Sequence, residues 1–339
     1  MPLLEIKNLH TIFHTDAGDV HAVNGISYNL EKGKVLGIVG ESGSGKSVSA
    51  YSMMQILAST GEITPESSIK FNDEQLVGAN EKVMHTIRGN KISIIFQDPM
   101  TSLNPTYTIG HQLMEAILLH TNRTKKEAYD RAVEMLKLVN INEPVKRMEQ
   151  YPFELSGGMR QRVGIAMALA CEPDILIADE PTTALDVTIQ AQIIDLMIKL
   201  QKELGMAIIM ITHDLGVIAQ ICDEVIVMYA GSICEQGTVD EIFYNPKHEY
   251  TKGLLKSIPT LETKGKKLEP ITGTPIDLLN MPKGCAFAPR CNNCMKICLK
   301  EKPERIQIND FHQATCWMNV KDKIDSGEIV LEGGNNNDW

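Results

Sequence analysis

The stretch Gly40-Glu41-Ser42-Gly43-Ser44-Gly45-Lys46-Ser47 constrains this chain more than any other. An apolar run from Val35 to Val39 precedes it and a helical pattern follows, so the segment reads as strand, glycine-rich turn and helix start. Glycines at these positions let successive backbone N–H groups curl around a β-phosphate, and the helix opening near Lys46 adds its positive end. Lys46 is expected to bridge β- and γ-phosphates and Ser47 to ligate Mg²⁺. The implied ligand is a nucleoside triphosphate. A Gly/Ser turn can also be a flexible connection that binds nothing, and the downstream motifs decide between the two.

Composition narrows the class. With 339 residues, 43% hydrophobic, 22% charged and 5% aromatic, the chain has the profile of a globular protein of one large domain plus a smaller addition. Its longest apolar runs, such as Ile175–Ala178 and Ala207–Ile211, are strand-sized, far short of the ~18 residues of a membrane span. Nothing near Met1 resembles a secretion signal, so a cytoplasmic location is expected. A formal net charge of −10 opposes non-specific binding to nucleic acid or anionic lipid, so membrane association is expected to run through a protein partner.

Short β-rich runs at Val35–Val39, Ser93–Phe96, Ile175–Ala178, Ala207–Thr212 and Val225–Tyr229 alternate with helical patterns, which predicts a mostly parallel α/β sheet. Between Gly61 and Gln150 the character changes. Ile109–His120 and Thr124–Leu138 read as amphipathic helices of an insertion, the second opened by the capping-box pattern Thr124-x-x-Glu127. Thr260 to Pro270 is charged and aperiodic, a linker. The last residues, Glu332 to Trp339, have little to bury and are expected to be disordered.

Two further motifs carry chemistry. Ile175-Leu-Ile-Ala-Asp179-Glu180 is an apolar strand ending in two carboxylates, placing Asp179 to hold Mg²⁺ through its water shell and Glu180 to polarise an attacking water. Such a strand end is also compatible with a structural ion pair. Leu155-Ser156-Gly157-Gly158 opens a long helical run, giving a second anion-ready helix N-terminus with a hydroxyl and bare glycine amides. One chain thus carries two phosphate-binding faces.

With these motifs in that order, residues 1 to about 255 resemble the ABC (ATP-binding cassette) ATPases, whose signature is the Leu-Ser-Gly-Gly stretch. The resemblance implies a P-loop α/β cassette with a small antiparallel β subdomain and a helical signature subdomain at about 100–165. It implies that Gln97 senses Mg²⁺ and faces the membrane partner, that Thr183-Ala-Leu-Asp186 is the inter-subunit loop, and that His213 contacts the γ-phosphate. Phe13 stands where the family presents a ring to adenine, although a packing role suits it equally. ATP is then sandwiched between the phosphate loop of one subunit and the Ser156–Gly158 turn of another. With Glu180 and His213 both present, the site built on this phosphate loop is expected to hydrolyse ATP.

Five of the eight cysteines fall between Cys285 and Cys316. Such clustering in a reducing compartment favours a metal over disulfides, and iron–sulfur or zinc both suit four thiolates, while reduced cysteines without a metal remain open. The words Gly284-Cys285-Ala-Phe287-Ala-Pro289-Arg290-Cys291 resemble the C-terminal extension of oligopeptide and dipeptide importer ATPases. There the resemblance implies a structural [4Fe-4S] cluster on Cys285, Cys291, Cys298 and Cys316, with Cys294 outside the ligand spacing. Two departures stand out: Asn292 where the group has proline, and His248-Glu249-Tyr250 for its His-Pro-Tyr.

The expected organisation is therefore a cassette at 1–255, an extension at 256–325 and a tail at 326–339. The resemblance implies a peripheral motor on the cytoplasmic membrane face, working with a second, non-identical ATPase, two transmembrane permeases and an extracellular peptide-binding protein. Nickel or glutathione as cargo is the first alternative, and a soluble cassette acting on nucleic acid or ribosomes the second. Two cassettes or a long coiled-coil insertion would mark the latter, and neither is present.

Overall fold

The computed structural model describes residues 1–98, 102–182, 187–258 and 270–326. Its strands, in chain order, are β1 (Leu4–Thr15), β2 (Gly18–Leu30), β3 (Val35–Val39), β4 (Gly61–Ile63), β5 (Ser68–Phe71), β6 (Glu74–Gln75), β7 (Ile92–Ile95), β8 (Ile175–Asp179), β9 (Ala207–Ile211), β10 (Glu224–Tyr229), β11 (Ser232–Thr238), β12 (Ile306–Asn309) and β13 (His312–Ala314). Two compact units divide the chain. The first holds Met1–Leu4, Asn29–Val35 and Phe71–Thr212, and the second holds Glu5–Tyr28, Leu36–Lys70 and His213 onward.

In the first unit β7, β8 and β9 run parallel, with Ile94 opposite Ile177 and Asp179 opposite Ile211. Every residue of β8 and β9 is buried, as expected for strands covered on both faces, which is why they read as unbroken apolar runs. The expected strand at Ser93–Phe96 forms one residue earlier, because Phe96 leaves the sheet and is 42% exposed.

Both helices expected in the insertion are present. Ile109–His120 is capped by the Thr108 hydroxyl, which accepts from the His111 N–H. Lys125–Leu138 opens on the capping box, in which the Thr124 N–H donates to Glu127 Oε2 at 2.7 Å and the Glu127 N–H donates to the Thr124 hydroxyl at 3.3 Å. Ile109, Leu113 and Ile117 on one helix and Ala128, Ala132 and Leu136 on the other, each spaced by four residues, are fully buried. Burial of each large aliphatic side chain stabilises the pair by roughly 1.5–3 kcal/mol. Gly157–Leu169 and Val187–Leu204 complete the long helices of this unit.

In the second unit β3 pairs in parallel with β10, Ile38 opposite Ile226, and β10 turns back antiparallel onto β11. The C-terminal hairpin β12–β13 adds to the same strands, with β13 antiparallel to β11 through Glu235–Ala314 and Gly237–His312. His312, fully buried, secures this junction: its Nε2 faces Glu235 Oε1 at 2.7 Å and its Nδ1 faces Glu241 Oε2 at 3.1 Å. A second sheet runs β2–β1–β5–β6, with β4 antiparallel on β1. Of the expected linker Thr260–Pro270 and the expected tail 326–339, all but Pro270 and Ser326 lie outside the described residues.

Candidate nucleotide-binding site

The phosphate loop joins β3 to the helix Lys46–Met54 in the second unit. Gly40 and Gly45 have φ of 153° and 96°, and a Cβ there would sit 2.2 Å from the Met228 carbonyl oxygen and 2.4 Å from that of Ala22. Only glycine permits so tight a curl. Ser42 and Gly43 form its exposed crest, while Ser44 and Lys46 are buried and Ser47 is half-buried in the first helical turn. Lys46 Nζ donates to the carbonyls of Gly40 at 2.8 Å and Glu41 at 3.0 Å. The Ser44 hydroxyl is buried with no hydrogen-bond partner among the described residues, inside the curl where a Gly40 Cβ would come within 2.7 Å of it. A buried orphan hydroxyl, a cation and a helix N-terminus around one glycine turn fit a phosphate chain.

In the first unit the two expected carboxylates close β8. Asp179 is fully buried. Glu180 has φ of 47°, a left-handed conformation that a glutamate adopts at an energetic cost, and its N–H donates to the Ile211 carbonyl at 2.8 Å. Gln97 Nε2 donates to Glu180 Oε2 at 3.0 Å. The pair named from separate motifs is thus brought together, 83 residues apart in sequence.

Ser156 caps the helix Gly157–Leu169, its hydroxyl accepting from the Met159 N–H. Gly157 faces open space, and Gly158 lets the turn approach Ile189, whose Cγ2 would lie 2.9 Å from an added Cβ. The turn borders a cavity of about 520 Å³ that Asn142, Arg147 and Arg162 also line. Two cations and a capped helix start make this a second anion-compatible surface.

The cysteines form a loose neighbourhood. The Cys285 N–H donates to the Cys298 carbonyl at 2.7 Å. Burial pushes the Cys285 thiol up to about 11 and Cys291 up to about 12, with neighbouring cysteines adding to both, and Cys316 is raised by burial and by Cys298. The thiols of Cys285, Cys291, Cys298 and Cys316 have the donor chemistry of a thiolate-bound metal, but among the described residues no group of three or more His, Cys, Asp or Glu side chains closes into a metal site. Cys294 is exposed.

The ABC transporter family profile matches residues 23–183, and the profile for the oligopeptide/dipeptide transporter C-terminal region matches residues 234–298. The chain is 52% identical to the dipeptide transport ATP-binding protein DppD of Bacillus subtilis, over 93% of this chain and 94% of that protein. The chain belongs to the ABC transporter ATPases. The oligopeptide transport ATP-binding protein OppD of B. subtilis is also 52% identical, over 97% of this chain and 92% of its own length. Among solved structures, the ATP-binding cassette MJ0796, in a dimeric post-hydrolysis state with ADP and Pi, superposes with a TM-score of 0.63 at 27% identity, covering 70% of this chain and 98% of that one.

The remaining expected cassette residues fall as follows. His213 is exposed, directly before Asp214, which caps the helix Leu215–Ile221. Phe13 lies on β1 opposite Gly61, and its ring would be 2.8 Å from a Cβ on that glycine. Packing on Gly61 is the contact observed for it. Asp186 and the loop Thr183–Asp186 lie outside the described residues. No helix among the described residues is long and apolar enough to cross a membrane.

Sequence reasoning assigned no role to Glu41 or Tyr250 and quoted Arg290 only as part of a stretch. In the folded chain they meet: the Glu41 N–H donates to the Tyr250 hydroxyl at 2.8 Å, and Arg290 pairs with the Glu41 carboxylate. The available signal was an arginine within the apolar run Phe287-Ala-Pro-Arg290, a context in which a cation needs a partner.

Proposed function

We propose that this ABC ATPase binds and hydrolyses ATP to energise import of short peptides through a membrane transporter. The observation that carries the reading is the union, in one chain, of a complete cassette with a segment matching the oligopeptide/dipeptide transporter C-terminal region at residues 234–298. The names of the DppD and OppD relatives support the same cargo class.

In this reading Gly40, Ser42, Gly43, Ser44 and Gly45 wrap the phosphates, and Lys46 bridges β and γ. Ser47, Gln97 and Asp179 would hold Mg²⁺, which supplies charge neutralisation at the phosphates. Glu180, oriented by Gln97, polarises the attacking water, and His213 reads the γ-phosphate. Ser156, Gly157 and Gly158, with Asp186, address the ATP held by a second cassette, and Phe13 stacks on adenine. Loss of the γ-phosphate removes what bridges the two faces, so the sandwich opens and moves the permeases. The protein is then a peripheral subunit on the cytoplasmic membrane face, paired with a non-identical ATPase, two permeases and an external peptide-binding protein. Functionally the chain divides into a cassette at 1–255 and an extension at 256–325.

For the extension we infer a structural [4Fe-4S] cluster on Cys285, Cys291, Cys298 and Cys316, supported by the donor chemistry of the four thiols. A small lobe with few large apolar groups gains stability from a metal group that ties its loops together. Iron and acid-labile sulfide measured on the anaerobically purified chain test it, and a colourless, iron-free, folded protein would withdraw it.

The deciding experiment is uptake of a labelled short peptide, alongside labelled nickel, in cells whose only copy of this gene carries Glu180→Gln. Loss of peptide uptake alone supports the proposal. Lost nickel uptake with intact peptide uptake overturns the cargo.

A further inference from the structure

Glu41 stands between Gly40 and Ser42 in the phosphate loop, and each of its polar groups is engaged. Its N–H donates to the Tyr250 hydroxyl at 2.8 Å, and its carbonyl accepts from Lys46 Nζ at 3.0 Å and from the Ser44 N–H at 3.2 Å. Its carboxylate receives both terminal nitrogens of Arg290, at 2.5 and 2.9 Å. Paired N–H donors on a carboxylate make the most directional ion pair a protein builds.

Arg290 comes from the C-terminal lobe, one residue before Cys291, and its side chain is only 4% exposed. Its Nε donates to the Thr272 carbonyl at 3.0 Å, and its guanidinium lies 5.8 Å from the Tyr229 ring centroid and 5.9 Å from that of Phe287. A Cβ on Gly273 would come within 3.2 Å of its Cγ, so the stem has a close-fitting channel. The lobe therefore fixes this guanidinium in place and aims it at the phosphate loop.

We propose that Arg290 is a positioning residue for the nucleotide: it neutralises Glu41 and holds the start of the phosphate loop, so that the cassette's grip on ATP depends on the C-terminal lobe. The inference rests on reading Gly40–Ser47 as the ATP phosphate site. Two physical effects act in the same direction. An unpaired Glu41 carboxylate in the loop repels a polyanionic triphosphate. A released Glu41 also shifts the carbonyl that anchors Lys46, and with it the ammonium meant for the β- and γ-phosphates. Tyr250, fully buried in the helix Glu249–Lys256, holds the N–H side of the same residue, so two C-terminal elements grip one loop position.

The test uses the full chain and the fluorescent nucleotide MANT-ATP with Mg²⁺, titrated at low and high salt, with thermal unfolding recorded for each variant. Arg290→Gln is expected to weaken MANT-ATP binding by roughly tenfold, about 1.4 kcal/mol, with a smaller loss at high salt where repulsion is screened. Adding Glu41→Gln removes the repelling charge and is expected to recover most of the affinity. A mere staple between lobe and cassette predicts otherwise, because the double variant would bind as weakly as Arg290→Gln. That result, or wild-type binding by Arg290→Gln, overturns the proposal. If Arg290→Gln does not fold, Arg290→Lys keeps the charge but loses the fork. Its expected loss is roughly threefold, recovered by Glu41→Gln, and wild-type affinity there is equally fatal. Lys46→Ala serves as the control for the underlying reading. Unchanged MANT-ATP binding in that variant would refute the phosphate-loop assignment itself, and the proposal with it.

Discussion

Gln97 donates through Nε2 to the Oε2 of Glu180 at 3.0 Å, joining the second residue beyond β7 to the first beyond β8. The bond restrains a carboxylate whose own backbone is held left-handed at φ 47°. In its proposed role as general base Glu180 needs a fixed direction as well as proximity, and these two restraints fit that need. Glu180→Gln is expected to bind ATP normally and lose hydrolysis by about 100-fold or more, read by phosphate release and nucleotide trapping. Normal turnover would remove Glu180 from the chemistry.

Gln97→Ala leaves the Glu180 backbone in place but frees its side chain. The expected outcome is a fall in kcat of roughly tenfold with little change in ATP affinity when Mg²⁺ saturates, measured by steady-state kinetics. An affinity loss with unchanged kcat would place Gln97 at the metal alone.

Gly45→Ala puts a methyl group 2.4 Å from the Ala22 carbonyl oxygen at a φ of 96°. Destabilisation of more than about 1 kcal/mol is expected in chemical denaturation, together with loss of MANT-ATP binding. Wild-type stability would mean that the turn relaxes without cost.

Thr124→Ala removes one half of the capping box on Lys125–Leu138, whose N–H and hydroxyl contacts to Glu127 are both made at 2.7 Å. About 1 kcal/mol of stability should be lost, with ATP binding unaffected. An unchanged denaturation midpoint would show that this helix is held by packing alone.

His248 is buried, and its Nδ1 accepts the Tyr250 N–H at 3.0 Å, a bond that only an unprotonated nitrogen makes. Burial accordingly lowers its pKa from 6.5 to about 4. In the unfolded chain the ring takes up a proton below about 6.5, whereas in the folded chain it does so only near 4. Stability associated with His248 is therefore complete above that upper value and falls as pH drops toward the lower one, by up to roughly 3 kcal/mol. His248→Asn keeps an acceptor for the Tyr250 N–H without titrating. Its urea midpoint should fall less than that of the wild type between pH 7 and pH 5, and equal falls would discount His248 as the source.

Local patterns settled much of the architecture in advance. The apolar runs at Ile175–Ala178 and Ala207–Ile211 read as strands of a mostly parallel sheet, and the glycines from Gly40 to Gly45 as a turn that curls its N–H groups inward; the folded chain buries both strands throughout and holds Gly40, Gly43 and Gly45 at positive φ. Thr124 and Glu127 marked a helix start because a capping box is satisfied within four residues. Each of these signals is short-range, so neighbouring residues suffice to express it. Phe96 shows the limit, since only the packing decides that this ring leaves the sheet and meets solvent.

The amino-acid sequence by itself determined the chemistry: a phosphate-wrapping turn, two carboxylates at a strand end, a glycine-rich helix start, and a cysteine-bearing segment after the cassette. The tertiary structure alone decided which of these groups touch. Gln97 reaches Glu180, β13 extends the strands of β11, and Arg290 closes on Glu41 across 249 positions of chain. Long-range pairs of this kind carry no periodicity and no local motif. They exist because a buried cation must find a counter-charge and a strand edge must find a partner, and only the folded chain specifies where each one lies.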